Sequence, residues 1–274
     1  LGDPVGREES VEETIRGFAG MCRRHDWGFG FHQVLPDHLP VYLHAGLRKL
    51  KVGDVAIVDL ARFSLEGKAG KNFRTTIRLM EKLGVRSERF DPPIPEQVIR
   101  QIQVVSDEWL EIPGRRERRF TLGMFDPHYI RSTTVIAAFD GEGTMLGFLN
   151  VIPSYRRGET AVDLMRRRTA APNGVMDYLF VKLFQEQKER GFARFNLGLA
   201  PMAGFQEREI PTAEERAVHY FFQRVNFLFS FRGLRQYKAK FATHWEPRYT
   251  VYRNVFELPK LALALSKVSE FEDQ

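Results

Sequence analysis

Apolar positions change their spacing along this chain, and the changes divide it into elements. Over residues 11–24 they recur at three- and four-residue steps, as on a helix with one buried face. Ser10, followed by Glu13, reads as a capping box at its start. Residues 28–34 read as a strand, 36–45 as a short helix closed by Gly46, and 47–60 as two short strands around Gly53-Asp54. The stretch Asp91-Pro92-Pro93-Ile94-Pro95 is the strongest break, because proline stiffens the chain and cannot continue a helix. It predicts a linker that divides the chain into residues 1–91 and 92–274.

Beyond the prolines the pattern predicts helices over 95–110 and 125–131, then strands over 133–139 and 145–152 around a Gly141-Glu142-Gly143 turn. A third strand over 159–169, a long helix over 175–190 and a strand over 192–199 follow. The remainder reads as a helix over 213–227, a strand over 247–252 and an amphipathic tail helix of low charge over 258–268, with Pro259 near its start. Interleaved helices and strands predict an α/β (α+β) protein with mixed central sheets.

Composition adds a direction. The 274 residues suffice for one large or two small domains, and 43% hydrophobic content with 23 phenylalanines supplies a core. A net charge of +6 points to an anionic partner such as RNA, a phospholipid surface or a phosphate-bearing substrate, although an uninvolved basic surface has the same balance. The single cysteine, Cys22, excludes an intrachain disulfide and a cysteine metal cluster. It fits a reducing compartment and the role of a small buried hydrophobe. The sequence has no run of 18 apolar residues, so none of its segments is expected to span a bilayer. No signal peptide is visible, and the abrupt opening Leu1-Gly2-Asp3-Pro4 reads as a piece of a longer protein.

The candidate chemistry lies mostly after the prolines. On a strand over 159–169, Asp163 and Arg166 are mid-strand charges that need partners if buried. They form a salt bridge, or Asp163 holds an ammonium and Arg166 an anionic oxygen. Alternation puts them on opposite faces unless a bulge intervenes. Asp177 falls in the first turn of the long helix, where the dipole favours it with or without a catalytic role. Asn196, unfavourable within a strand, is expected to bond either a loop or a substrate. The stretch 231–248 mixes basic and aromatic residues, as nucleic acid and lipid interfaces do, with Lys238 and Lys240 expected on one strand face and Glu246 and Arg248 close behind. Lys71, Arg74 and Arg78 share one face of a helix over 67–82, suited to phosphates or simply to solvent. A coenzyme A site would want several glycines before the long helix, and residues 166–174 contain only Gly174. There is no His-Glu-x-x-His, no Gly-x-Ser-x-Gly and no P-loop, so no metal and no cofactor is expected.

Several phrases resemble the aminoacyl-phosphatidylglycerol synthase (multiple peptide resistance factor) family. Among them are Ser106-Asp107-Glu108-Trp109-Leu110, Phe120-Thr121-Leu122-Gly123, Asp163-Leu164-Met165-Arg166, residues 174–180 and 195–201, Gly233 to Lys240, and Trp245-Glu246-Pro247-Arg248-Tyr249. The resemblance implies tandem GNAT-like acyltransferase domains, the first N-terminally truncated. It implies transfer of an alanyl or lysyl group from aminoacyl-tRNA to a glycerol hydroxyl of phosphatidylglycerol, which alters membrane charge and confers resistance to cationic antimicrobial peptides. It places Asp163, Arg166 and Lys238 in activity motifs and gives the full-length protein an N-terminal transmembrane flippase region. This region would then work at the cytoplasmic face of the bacterial inner membrane. The alternatives are a GNAT-fold N-acyltransferase, a peptidoglycan aminoacyltransferase, and a non-catalytic lipid- or RNA-binding module.

Overall fold

The computed structural model describes residues 1–120, 123–201 and 231–269. The helix expected over 213–227 lies outside the described residues. In chain order the elements are α1 (Glu8–Arg24), β1 (Gly30–Val34), α2 (Leu39–His44), β2 (Arg48–Asp59), α3 (Lys71–Lys82), β3 (Arg86–Phe90), α4 (Glu96–Leu110), α5 (Pro127–Arg131) and β4 (Thr134–Phe139). Then come β5 (Met145–Pro153), β6 (Glu159–Arg167), α6 (Val175–Glu189), β7 (Arg194–Pro201), α7 (Phe231–Ala239), β8 (His244–Tyr252) and α8 (Leu258–Ser269). This is the mixed α/β class expected from the pattern.

Two compact units share the chain. Unit 1 takes Leu1–Ala56, Leu199–Phe241 and Trp245–Gln274, and unit 2 takes Ile57–Gly198 with Ala242–His244. In unit 1 the strand order is β1-β8-β2, with β1 antiparallel to β8. Helix α1 buries Val11, Ile15, Ala19 and Cys22 in a core shared with Phe29, Val34, Tyr42 and Val251. Its acidic first turn and basic last turn complement the helix dipole. The helix begins before Ser10, so that residue is no cap; its carbonyl accepts from Thr14 Oγ1 at 2.8 Å. Residues 48–59 form one continuous strand instead of two. Gly53 is not a turn: a Cβ there would lie 2.5 Å from the Ala200 carbonyl oxygen, so glycine permits a close backbone approach.

Unit 2 has the order β7-β6-β5-β4-β3. Strands β3 to β6 form an antiparallel meander, and β6 pairs in parallel with β7 after the α6 crossover. Helix α4 lays Val98, Ile99, Ile102 and Val105 on Val135, Ala137, Phe148 and Leu164. The proline stretch is not where the compact units part. Strand β3 just before it pairs along its length with β4, and Ile94 N–H donates to the Arg131 carbonyl at 3.1 Å. The prolines therefore mark a turn inside unit 2, and the expected boundary at residue 91 is not reproduced.

Candidate functional site

The chemistry of unit 2 is organised by an irregularity in β6. Between Leu149 and Val151 on β5, the partner advances from Met165 to Val162, so β6 carries one extra residue. The bulge leaves the Leu164 N–H without a ladder partner. Asn150 Oδ1, fully buried on β5, accepts it at 2.6 Å. A bulge reverses the alternation beyond it, which is the condition under which Asp163 and Arg166 share a side of the strand.

Their partners show that they do. Asp163 Oδ1 accepts from the Gly123 N–H at 2.7 Å, and Oδ2 accepts from the Tyr129 hydroxyl on α5 at 2.5 Å. Arg166, 3% exposed, donates through both terminal nitrogens to Glu117, each at 2.7 Å. Its guanidinium lies 4.6 Å from the centre of the Trp109 ring on α4. Glu117 also accepts from the Phe125 N–H at 3.3 Å. The segment leading from α4 to α5 thus grips both β6 charges. A Cβ on Gly123 would fall 1.7 Å from Asp163 Oδ2, so only glycine lets the backbone approach. Burial, then the bond to Asp163 and its charge, push the Tyr129 hydroxyl well above the ordinary tyrosine range, which keeps it a donor.

The other expected residues of unit 2 are more structural. Asn196 donates to Glu159 Oε1 at 3.3 Å and accepts from the Gly198 N–H at 2.8 Å. Glu159 is also paired with Arg194 at 3.2 Å. Asp177 lies in the first turn of α6, behind Gly174 at φ 96°, where a Cβ would meet Thr76 Cγ2 of α3 at 3.0 Å. On α3, Lys71 and Arg78 are exposed, whereas Arg74 turns back to the carbonyls of Leu65 and Gly67. The shared cationic face predicted for these three residues therefore loses Arg74.

In unit 1, Lys238 sits on helix α7, not on a strand, so it does not share a strand face with Lys240. It is 7% exposed, and its Nζ donates to the Leu199 carbonyl at 2.9 Å. Burial lowers its pKa to about 7. Lys240 is exposed just past the helix, 4.8 Å from the Tyr237 ring centre. Arg248 is buried on β8 and donates to the Pro247 carbonyl at 3.1 Å and to Glu246 Oε2 at 3.4 Å.

Glu117, Tyr129 and Asn150 were not singled out by the sequence pattern. Two had a visible signal: Glu117 is the lone acid in Arg115-Arg116-Glu117-Arg118-Arg119, and Asn150 interrupts the apolar run Met145-Leu146-Gly147-Phe148-Leu149. Among the described residues no group of His, Cys, Asp and Glu is arranged to hold a metal ion.

The fold is one already seen in solved structures. It matches L-PGS from Bacillus licheniformis with a TM-score of 0.86 and 34% identity, covering 98% of this chain and 81% of that one. Residues 1–252 match the family model described as phosphatidylglycerol lysyltransferase, C-terminal, and the chain belongs to that family. The phosphatidylglycerol lysyltransferase of Bacillus subtilis is 34% identical over 253 residues, 92% of this chain and 29% of the relative. That of Staphylococcus aureus is 32% identical over the same share of this chain and 30% of its own. The chain therefore spans about 30% of the length of these curated relatives.

Proposed function

We propose that this chain is the transferring region of an aminoacyl-phosphatidylglycerol synthase. It moves a lysyl or alanyl group from aminoacyl-tRNA to a glycerol hydroxyl of phosphatidylglycerol. Family membership over residues 1–252 carries this reading. The paired, pre-oriented charges on β6 supply the local chemistry that supports it.

The aminoacyl ester is already activated, so no ATP is spent. The lipid hydroxyl oxygen attacks the ester carbonyl carbon, the bond to the tRNA ribose oxygen breaks, and the hydroxyl proton ends on that departing oxygen. Holding two bound substrates in register supplies much of the rate. Asp163 uses two acceptor positions on Gly123 and Tyr129 and keeps others for the α-ammonium of the aminoacyl group. Arg166 serves the developing oxyanion or a phosphate through donors not engaged by Glu117. Lys238, poised near neutrality, serves as a proton-exchanging or anion-holding amine. Asp177, Asn196, Lys240, Glu246 and Arg248 are proposed as substrate contacts, and Lys71 and Arg78 as contacts to the phosphate of the lipid head group. No helix among the described residues is long and apolar enough to cross a membrane. The proposed setting is the cytoplasmic face of the inner membrane, beneath the flippase region of the full-length protein.

The test offers radiolabelled lysyl- and alanyl-tRNA, each with phosphatidylglycerol vesicles, to the full-length protein and to this chain. Labelled lipid is expected from one donor or both, and none from acetyl-CoA. Asp163→Asn, Arg166→Ala and Lys238→Ala are expected to lose at least a hundredfold in turnover while remaining folded by circular dichroism. No labelled lipid from either donor overturns the reading, and near-parental turnover in the variants overturns the residue assignment.

A further inference from the structure

The segment that grips Asp163 and Arg166 is also rich in arginine. From Arg115 to Arg119 it holds four arginines around Glu117; β6 ends in Arg166 and Arg167, and Arg168 follows it. Among the described residues Arg166 is paired with Glu117 and Arg168 with Glu108, the latter at 2.7 Å. Arg115, Arg116 and Arg167 are exposed and are within salt-bridge range of no carboxylate among the described residues. The Arg115 guanidinium lies 4.6 Å from the Trp109 ring centre, so this ring is shared by Arg115 and Arg166. Among the described residues, the Arg167 guanidinium donates to the neighbouring Arg168 carbonyl at 3.2 Å and to no carboxylate. Exposed Phe120 follows the run. Partial burial, then the like charges of Arg167 and Arg166, hold Arg115 below the ordinary arginine range.

We infer that Arg115, Arg116 and Arg167 form the surface that seats the RNA backbone of the aminoacyl donor, beside the Asp163–Arg166 pair. This rests on the transferase reading for the identity of the donor and deepens it by naming where the donor is held. Guanidinium forks match phosphate oxygens, and an exposed aromatic among them suits an unpaired nucleotide. An RNA end gripped here lies against the segment whose Glu117 and Gly123 hold the two β6 charges, so seating the donor and orienting the site use one piece of chain. The α3 helix is the weaker candidate for this role, because Arg74 is spent on its own loop.

The experiment measures binding of a lysine- or alanine-accepting tRNA transcript by fluorescence anisotropy across a salt series, using the full-length protein. The triple variant Arg115→Gln/Arg116→Gln/Arg167→Gln is compared with Lys71→Gln/Arg78→Gln/Lys82→Gln on α3. The first is expected to weaken binding about tenfold or more near 0.1 M salt and to reduce the log–log salt slope by roughly two to three, one per lost phosphate contact. The second is expected to change the slope by less than one. Arg116→Gln alone, at a side chain with no bonded partner among the described residues, guards against misfolding and should lower the slope by about one. Unchanged affinity and slope in the triple variant overturn the inference. So does loss of binding to phosphatidylglycerol vesicles with RNA binding intact, which would assign the surface to lipid. A parent that transfers label while the triple variant binds RNA normally sinks this inference and spares the transferase reading. A parent that binds RNA through these arginines yet makes no labelled lipid does the reverse.

Discussion

Arg166 in unit 2 and Lys238 in unit 1 are both almost fully buried cations, and the chain treats them in opposite ways. Arg166 meets a bidentate carboxylate and an aromatic face. Lys238 meets a neutral carbonyl, and its pKa falls to about 7. A buried charge survives where fixed counter-groups replace water, and is surrendered where they do not. The first arrangement suits a group that must stay charged and oriented through a reaction. The second suits a group that exchanges a proton near neutral pH.

The sharpest way to break this contrast is to make Arg166 resemble Lys238. Glu117→Ala removes the carboxylate and leaves the guanidinium buried and unpaired. It is expected to cost about 3–5 kcal/mol in chemical denaturation, the range for orphaning one partner of a buried pair. Arg166→Met in the same background should recover much of that loss, since no uncompensated charge then remains. A loss under about 1 kcal/mol for Glu117→Ala would mean that solvent reaches Arg166 after all.

How much of this was legible beforehand follows from what each feature depends on. Alternation on 159–169 correctly opposed Asp163 to Arg166 on a regular strand, but a bulge depends on the register with β5, which no local pattern encodes. Asn150 was the accessible clue: an amide inside an apolar strand implies a backbone group in need of a partner. The prolines before α4 announced a turn, yet whether a turn separates domains depends on which strands pair across it, and β3 with β4 do. The two-residue spacing of Lys238 and Lys240 suggested a shared strand face, but Lys238 lies on helix α7. The four-residue step from Tyr237 to Phe241, whose rings meet edge-on at 5.7 Å, was the helical signal. Arg74 shared the predicted face with Lys71 and Arg78, but a long side chain reaches backbone carbonyls that helical spacing alone does not reveal.

The second prediction sharpens the Lys238 side through pH. Its folded pKa, about 7, lies below the ordinary 10.5, so between those values the unfolded chain holds a proton that the folded chain does not. Stability therefore rises with pH across that window relative to a chain lacking the group, and the burial penalty is greatest below pH 7. Lys238→Met should be more stable than the parent near neutrality, and its advantage should shrink by about 2–3 kcal/mol between about pH 7.5 and 9.5. Denaturant titrations at several pH values measure the gap. A gap that stays constant, or widens with pH, shows that Lys238 does not titrate as its burial requires.

The smallest effect isolates the hydrogen bond that aims Asp163. Tyr129→Phe removes one hydroxyl and keeps the ring, so packing against the α4 core is retained. Hydrogen bonds to charged groups contribute about 1.5–3 kcal/mol. Asp163 keeps the Gly123 N–H in the variant, which argues for the low end, about 1.5 kcal/mol of stability. The functional readout separates aiming from mere folding. A carboxylate freed to rotate should lower kcat more than it raises KM for aminoacyl-tRNA, because an orienting contact matters most where reacting atoms must align. If kcat and KM are both unchanged while stability falls, Tyr129 holds the fold and not the carboxylate. Asp163 would then be positioned by the bulge and the Gly123 N–H alone.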